Sequence, residues 1–354
     1  MAKTNIFQVI GCMSGTSVDG VDLALLETDG KEHIVPLDFA GFDYTPEERT
    51  IIKAAFGIQD KNDPKVQAAS QAVTDAHIRA IKEFGHPADL IGFHGQTIFH
   101  APQDGITVQI GDAARLAAET GITVIHDFRS ADVAAGGEGA PLLPLYHAAR
   151  LQDKANPSAI LNIGGVANVT WIHGTDILAF DTGPGNALID DMMIGATGQP
   201  FDKDGVMAAS GTVDHPRLNE WLDNLYFKAK PPKSLDRDAF SHCNISGLSV
   251  EDAITTLTAF TAYSIAASAE HFPRPAAHWY VTGGGRKNRT LMAHLSHILK
   301  TPMQNVEDLG WNGDAIEAEG FAYLAVRSSL GLPLSLPTTT GCAEPLSGGE
   351  TALP

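Results

Sequence analysis

Three glycine-rich turns, each closing an apolar run, give this sequence its clearest capacity for chemistry. The first is Gly11-Cys12-Met13-Ser14-Gly15-Thr16-Ser17-Val18-Asp19-Gly20-Val21-Asp22. The second is Asn162-Ile163-Gly164-Gly165-Val166-Ala167-Asn168, and the third is Val281-Thr282-Gly283-Gly284-Gly285-Arg286-Lys287-Asn288. In a turn of small residues, consecutive N–H groups can point the same way and cradle an anion. Glycine admits a ligand closely, and Ser and Thr hydroxyls add donors. Candidate nucleotide contacts are Gly15, Thr16, Ser17, Val18, Asp19, Gly20, Val21 and Asp22, then Gly164, Gly165 and Asn168, then Gly283, Gly284 and Gly285. Asp19 and Asp22 alternate with apolar residues. Near phosphates a carboxylate is favourable mainly as a ligand to Mg²⁺ or its waters, which makes Asp19 the candidate metal contact. One such turn alone reads as an ordinary hairpin; two that open the two halves, plus a triple glycine leading into a helix, favour function. Neither G-x-x-x-x-G-K-[ST] nor a G-x-G-x-x-G after a strand is present, which removes the Walker and Rossmann phosphate sites.

A fourth segment, Phe180-Asp181-Thr182-Gly183-Pro184-Gly185-Asn186-Ala187, puts a carboxylate where an apolar strand breaks into a Gly-Pro-Gly turn. Strand ends facing a crevice are where α/β proteins place reactive groups. An alternative stands beside that reading: Thr182 or Asn186 caps the following helix and Asp181 braces the turn. His94-Gly95-Gln96-Thr97 follows a strand and offers polar groups suited to sugar hydroxyls. Asp127-Phe128-Arg129-Ser130, with Ala135-Gly136-Gly137-Glu138-Gly139-Ala140-Pro141-Leu142, supplies a cation and a flexible loop at the expected domain junction. His94, His100 and His126 fit no common zinc spacing and read as structural histidines.

The elements that must position these groups follow from period and punctuation. Strands are expected at Ile6–Met13, Val21–Glu27 and Ile34–Phe42. A helix opens at Thr45 with Pro46 and Glu48 completing a capping box, and a second runs from Asp63-Pro64 to Gly85. Then come the strand Leu90–His94, a hairpin through Thr97–His100 and Ile106–Ile110, the helix Asp112–Glu119 and the strand Thr123–Phe128. The second half repeats the order: strands Ala159–Ile163, Ala167–Ile172 and Ile177–Phe180, helices near Asn186 and over Glu251–His271, the strand Trp279–Val281, a helix from Asn288, Met303–Val306, and a helix from Asp314 to Ser329. Each half opens on a strand–glycine turn–strand unit, which a single doubly wound sheet does not explain. The expectation is α/β with mixed sheets, and a surface-lying irregular tail after Leu330.

Composition bounds the rest. At 354 residues the chain is long enough for two domains. Its formal charge of −18, from 24 Lys+Arg against 42 Asp+Glu, repels polyanions and argues against nucleic-acid binding. Three scattered cysteines make neither a disulfide framework nor a zinc cluster, which fits a reducing cytoplasm. The apolar run before Cys12 is too short and too interrupted, by Asn5 and Gln8, for a secretion signal. No run approaches the roughly 18 apolar residues of a membrane span.

Taken together, Gly11–Asp22, His94-Gly95-Gln96-Thr97, Asp127-Phe128-Arg129, Gly136–Leu142, Asn162–Asn168, Asp181–Asn186, Thr282–Asn288, Asp314-Ala315-Ile316-Glu317-Ala318 and the Thr338–Gly341 tail resemble the anhydro-N-acetylmuramic acid kinases. The resemblance covers nearly the whole chain. It implies the actin-like ATPase fold, two duplicated α/β domains with mixed sheets around a central nucleotide cleft. One domain would comprise residues 1–128 with a C-terminal helix at about 314–354, the other residues 129–313. It implies a reaction in peptidoglycan recycling in which 1,6-anhydro-N-acetylmuramic acid, ATP and water give N-acetylmuramate 6-phosphate and ADP, with Mg²⁺. By motif, Asp181 matches the base, Gly15–Asp22 the phosphate loop, and Glu317 a carboxylate on the sugar, with His94, Gln96, Thr97 and Arg129 as further sugar contacts. A homodimer is implied too. Glu138 departs from the family pattern, where glutamine is expected. A conventional sugar kinase and a non-sugar actin-like ATPase are the alternatives, the latter lacking any evident filament-forming or peptide-binding segment.

Overall fold

The computed structural model describes residues 5–151 and 155–354. The chain forms two compact units, Met1–Gln152 with Ala315–Pro354, and Asp153–Asp314. In the first, β1 (Phe7–Ser14), β2 (Gly20–Thr28) and β3 (Ile34–Asp43) make an antiparallel meander, and β4 (Leu90–Ala101) joins β1 in parallel. The short β5 (Ile106–Ile110) folds back on β4, and β6 (Thr123–His126) lies parallel to β4 on its other side. β1 is central and buried on both faces, which is why it reads as an unbroken apolar run. Ile10 and Cys12 face a core built with Val66, Ala69, Val73 and Ala76 of the Pro64–Phe84 helix. That helix begins on Asp63 and stops at Gly85 in the left-handed region, φ +68°, as its sequence dictates. The Thr45–Glu48 capping box is formed with both of its hydrogen bonds.

The opposite face of the same sheet receives the Ile316–Ser329 helix. Gly11 and Gly92 are register partners on β1 and β4. A methyl on Gly11 would lie 1.8 Å from the Ala318 carbonyl oxygen, and one on Gly92 would lie 2.3 Å from that of Phe321. The bare backbone of two adjacent strands is what lets the helix sit so low on the sheet.

The second unit repeats the plan with β7 (Ser158–Ile163), β8 (Val166–His173), β9 (Asp176–Pro184), β10 (His278–Thr282) and β11 (Met303–Asn305). β9, β8 and β7 form an antiparallel meander, and β10 and β11 extend it in parallel from β7. The order β9-β8-β7-β10-β11 matches β3-β2-β1-β4-β6 in sequence of connection and in strand direction. Each unit therefore carries the duplicated mixed sheet of the actin-like ATPase fold. The long Val250–Ser268 helix, apolar nearly all round, is buried between this sheet and a second cluster holding Trp221, Phe227 and Phe240.

The structure corrects several local expectations. β4 is continuous from Leu90 to Ala101 where two separate strands were expected; Gly95, at φ +71°, bends it so that it serves β1 and then β5. β9 runs on through Asp181 to Pro184 and does not break after Phe180. The first unit extends beyond residue 128, because Arg129 bonds back to His94, and Tyr146 to Glu319. Nor is the tail loose surface chain. Leu334, Ser335, Thr339, Thr340 and Cys342 are buried, and β12 (Glu350–Ala352) pairs antiparallel with β6 as the edge of a seven-stranded sheet. Asp132, buried at 2%, gathers this region: its carboxylate accepts from Thr340 Oγ1 at 2.7 Å, from the Gly139 N–H at 2.7 Å and from the Ser335 hydroxyl. A sequence reading tuned to period sees a Pro/Thr/Ser-rich loop there, whereas the buried carboxylate supplies the packing.

Candidate active site

In the first unit the turn between β1 and β2 is built around a strained residue. Val18 lies at φ +57°, a conformation that β-branched side chains rarely adopt, and its N–H donates to Gly15 O at 3.1 Å. Full burial of the Val18 side chain in the core holds it there, leaving Thr16, Ser17 and Asp19 exposed on the outside of the turn. Gly20 admits no side chain, since a methyl would come within 2.3 Å of Phe42 O. The Asp19 carbonyl accepts from Tyr44 N at 3.0 Å and from Arg49 NH2 at 2.8 Å, tying the turn to the next helix. Beside it lies a cavity of about 300 Å³, lined by Gly15, Ser17, Asp19, Gly20, Asp22, Gly41, Phe42, Asp43 and Glu317. Four of those residues are carboxylates. Glu317 reaches the rim from the first turn of the helix seated on Gly11 and Gly92, where the helix dipole favours a negative charge.

Of the other first-unit residues expected to face a sugar, His94 and Gln96 are buried and Thr97 and Arg129 half-buried. Gln96 is fully buried; its Oε1 accepts from Ser14 Oγ at 2.6 Å and its Nε2 donates to Thr97 O at 3.1 Å. Ser14 Oγ also meets the Tyr44 hydroxyl at 2.9 Å, so this network supports the end of β1 from which the turn springs. His94 donates from Nδ1 to Gly95 O and accepts at Nε2 from Arg129 Nε and NH2, at 3.2 and 3.0 Å. Burial, aided by the Arg129 charge, holds this imidazole well below its ordinary range and therefore neutral. Arg129 NH1 donates to Gly139 O at 2.7 Å, fastening the Gly136–Leu142 loop. Thr97 accepts from Gln109 Nε2 at 3.1 Å. Within that loop Glu138 is held by its backbone, donating from N to Thr340 O and accepting at O from His100 Nε2. Its side chain accepts from Gln103 Nε2 at 3.4 Å, an exposed contact that a glutamine oxygen could also accept.

In the second unit the remaining glycine segments converge. β7 and β10 are parallel neighbours ending at Ile163 and Thr282, and the turns that follow them meet beyond their carboxyl ends. Gly185 N and Asn186 N donate to Gly165 O and Gly164 O at 2.9 and 2.8 Å, and Asn186 Nδ2 donates to Ile163 O at 3.2 Å. Methyl groups on Gly185, Gly283 or Gly285 would strike Gly164 O at 2.2 Å, Asn162 Oδ1 at 2.3 Å or Ile163 Cγ2 at 2.4 Å. Gly164 and Gly284 have room beside them. Arg286, 8% exposed, locks the third turn by donating to Gly283 O, Glu307 and Asp314. Asp181, at 6% exposure, lies on the strand that leads into this junction, opposite Asn168 of β8. Its Oδ2 accepts from Leu235 N at 2.8 Å. Asn186 is the helix N-cap by position, but its side chain makes no capping bond, and Asp181 lies well inside the strand.

The anhydro-N-acetylmuramic acid kinase family model matches residues 7–352. A relative of that name from Rhizorhabdus wittichii is 50% identical, with 98% of each chain covered, and one from Paramagnetospirillum magneticum is 48% identical, with 98% and 99% covered. The chain belongs to the anhydro-N-acetylmuramic acid kinase family. It is thus an enzyme, a kinase that uses ATP. Another named relative, from Zymomonas mobilis, is 47% identical over 96% of this chain and 98% of its own. Among solved structures, the activator of the 2-hydroxyisocaproyl-CoA dehydratase from Clostridium difficile is similar at a TM-score of 0.46 and 11% identity, with 91% of this chain and 96% of that one covered.

In this anhydro-N-acetylmuramic acid kinase family member, sequence reasoning missed Asp43 at the cavity, the Ser14–Tyr44 support beneath the turn, and the Tyr226–Leu235 stretch that holds Asp181. Asp43 ends a strand with no motif around it, and the stretch around Lys230-Pro231-Pro232-Lys233 has no period to read. Only contact across the fold reveals them. No helix among the described residues is long and apolar enough to cross a membrane.

Proposed function

We propose that this kinase opens the 1,6-anhydro bridge of 1,6-anhydro-N-acetylmuramic acid and phosphorylates the freed O6, giving N-acetylmuramate 6-phosphate and ADP. One observation carries the reading: a buried carboxylate, Asp181, held by an N–H donor on the strand that enters the glycine junction. A water molecule is a weak nucleophile at neutral pH and needs a base to take its proton as it attacks the anomeric carbon. Asp181 serves as that base, with its Oδ2 oriented by Leu235 N–H. The water oxygen bonds to C1, and the C1–O6 bond breaks through an oxocarbenium-like state. O6 keeps that electron pair and bonds to the γ-phosphorus, and the β–γ bridging oxygen leaves with ADP. No separate acid is required, because the phosphoryl group captures the leaving oxygen.

The Gly15–Asp22 turn is assigned to the phosphates, which its backbone N–H groups and the Thr16 and Ser17 hydroxyls suit. Gly164, Gly165, Asn168 and Gly283–Gly285 are assigned to the rest of the nucleotide. A cavity edged by Asp19, Asp22, Asp43 and Glu317 would repel a bare triphosphate, and hard carboxylate oxygens suit Mg²⁺. No cluster of three or more His, Cys, Asp or Glu among the described residues forms a protein-only cage. That donor set suits an ion keeping phosphate oxygens and waters, contacted by Asp19 through water. Mg²⁺ there supplies neutralisation of the phosphate charge. Glu317 is assigned to the sugar, as are Thr97 and Arg129, with Gln96 bonded to Thr97 O and His94 to the Arg129 guanidinium. We place the enzyme in the cytoplasm, where its three free cysteines belong, as a homodimer with no nucleic-acid or membrane partner.

The test is ADP release with the anhydro sugar in ¹⁸O-water. The reading expects one labelled oxygen on C1 of the product and none in the phosphate. It also expects Asp181→Asn to lose at least about 10²-fold in kcat while still binding ATP. Consumption of only the reducing sugar would move the enzyme to the conventional kinases, and a near-normal Asp181→Asn would remove the base.

A further inference from the structure

Asp181 is clasped by a short stretch of chain that carries no motif. The Leu225–Lys228 helix and the residues after it fold back along β9. There the Asp181 N–H donates to Lys233 O at 3.0 Å, the Tyr226 hydroxyl donates to Asp181 O at 2.6 Å, and Leu235 N donates to the carboxylate. What closes this clasp is the Lys233 side chain. It is 8% exposed, and its Nζ donates to Tyr226 O at 2.7 Å. The ammonium lies 4.4 Å from the centre of the Tyr226 ring and 5.6 Å from that of Phe180, with His271 Nε2 at 3.5 Å. Burying an ammonium is costly unless it is compensated, and here aromatic faces and a carbonyl compensate it. Burial also draws its pKa down to about 8. Lys233, Tyr226 and Asp181 thus form a closed triangle: Lys233 Nζ to Tyr226 O, Tyr226 hydroxyl to Asp181 O, and Asp181 N to Lys233 O.

We infer that Lys233 is a positioning residue for Asp181: through Tyr226 it fixes the Tyr226–Leu235 stretch, and so holds the carboxylate on Leu235 N–H in the orientation that receives the water's proton. This rests on the reading of Asp181 as the base. Phe180 and Asp181 are successive residues of β9, so their side chains leave opposite faces. Lys233 therefore acts from the core side and does not touch the sugar.

The test compares the full chain with Lys233→Met, Lys233→Arg, Tyr226→Phe and Asp181→Asn, measuring kcat, KM for ATP and melting. Misplacement of a reacting group by about 1 Å can cost 10²-fold. Lys233→Met should therefore lower kcat by roughly 10- to 100-fold with KM for ATP unchanged. Lys233→Arg should recover part of that loss, and Tyr226→Phe should fall in the same direction. Should Lys233→Met fail to fold, Lys233→Arg and Tyr226→Phe decide in its place. A folded Lys233→Met with the parent's kcat, or one whose KM for ATP rises as kcat falls, overturns the positioning role. Asp181→Asn with near-parental turnover overturns the base itself, whatever the Lys233 variants do.

Discussion

Replacing Gly11 with alanine sets one methyl group against the backbone of a helix. The added carbon would lie 1.8 Å from Ala318 O and 2.6 Å from Ala322 N, where ordinary contact begins near 3.4 Å. Neither atom can rotate away, as the end of a side chain could. The Ile316–Ser329 helix must therefore lift from β1 by about 1.5 Å, or the central strand must bend. Overpacking of this kind typically costs about 1–3 kcal/mol, and rigid backbone on both sides puts this case at the upper end. For a unit of this size about 3 kcal/mol corresponds to a fall in Tm of roughly 6–12 °C. The same helix carries Glu317 in its first turn, one residue before Ala318. A shift of about 1 Å in that carboxylate should lower kcat by up to about 10²-fold in whatever protein stays folded. Gly195 provides the opposite case. It lies inside the Ala187–Thr197 helix, and a methyl there meets nothing within 4 Å. Gly195→Ala should raise stability by roughly 0.5–1 kcal/mol, by restricting the unfolded chain and favouring the helix. Thermal melts followed by circular dichroism, with ADP release on the same samples, read both. A Gly11→Ala protein that melts with the parent and turns over at the parent's rate would refute the close seating of the helix and the argument for Glu317 with it.

Two further expectations concern stability. His77 is fully buried, donates from Nδ1 to Val73 O at 2.7 Å, and has its pKa pushed down from 6.5 to about 4 by burial. The unfolded chain then binds the extra proton between those values, so the stability is whole above pH 6.5 and is lost as pH falls toward 4. His77 alone should cost about 2 kcal/mol between pH 7 and pH 5, and urea titrations of His77→Leu should show a correspondingly flatter pH dependence; an unchanged slope would contradict this. Asp132→Ala removes the acceptor shared by Thr340, Ser335 and Gly139 N, leaving buried donors unpaired at a cost of about 3 kcal/mol. Limited proteolysis after Leu330 should speed up accordingly, and a tail as resistant as the parent's would show that Asp132 is not its anchor.

What the sequence revealed and what it hid separate along a physical line. The Thr45–Glu48 capping box, the Asp63-Pro64 helix start and a closing Gly85 are local, since their energetics involve residues a few positions apart, and they are found where their residues put them. The repeat of strand, glycine turn and strand was legible for the same reason, and its outcome is two sheets of one topology. Candidate site residues were legible by type but not by facing. Gln96 and His94 look like sugar ligands in a string of letters, yet burial beside Ser14 and Arg129 turns their polar atoms inward. The tail after Leu330 was misread because its order comes from Asp132, about 200 residues earlier. Lys233 was invisible for a like reason: its partners Tyr226, Phe180 and His271 come together only in the fold.

The two sheets share a topology, but they spend their glycines differently, and the difference separates the tasks assigned to them. β1 and β4 carry Gly11 and Gly92 in mid-strand, thinning the sheet so that a helix can deliver Glu317 to the acidic cavity. Their counterparts β7 and β10 have no glycine; side chains such as Ala159, Leu161 and Val281 meet Ala262, Ile265 and Leu291 across an ordinary apolar layer. There the glycines lie beyond the strand ends, where Gly164, Gly185, Gly283 and Gly285 stack turn against turn. Close packing within the strand sets the height of one helix and hence of one carboxylate. Close packing past the strand leaves a surface of small residues and backbone groups, which suits a bulky ligand such as a nucleotide. A mid-strand glycine change should therefore register first in stability and in the reach of Glu317. A change at the strand-end glycines should register first in nucleotide affinity, and finding the two effects exchanged would mean that the division of labour inferred from the packing is wrong.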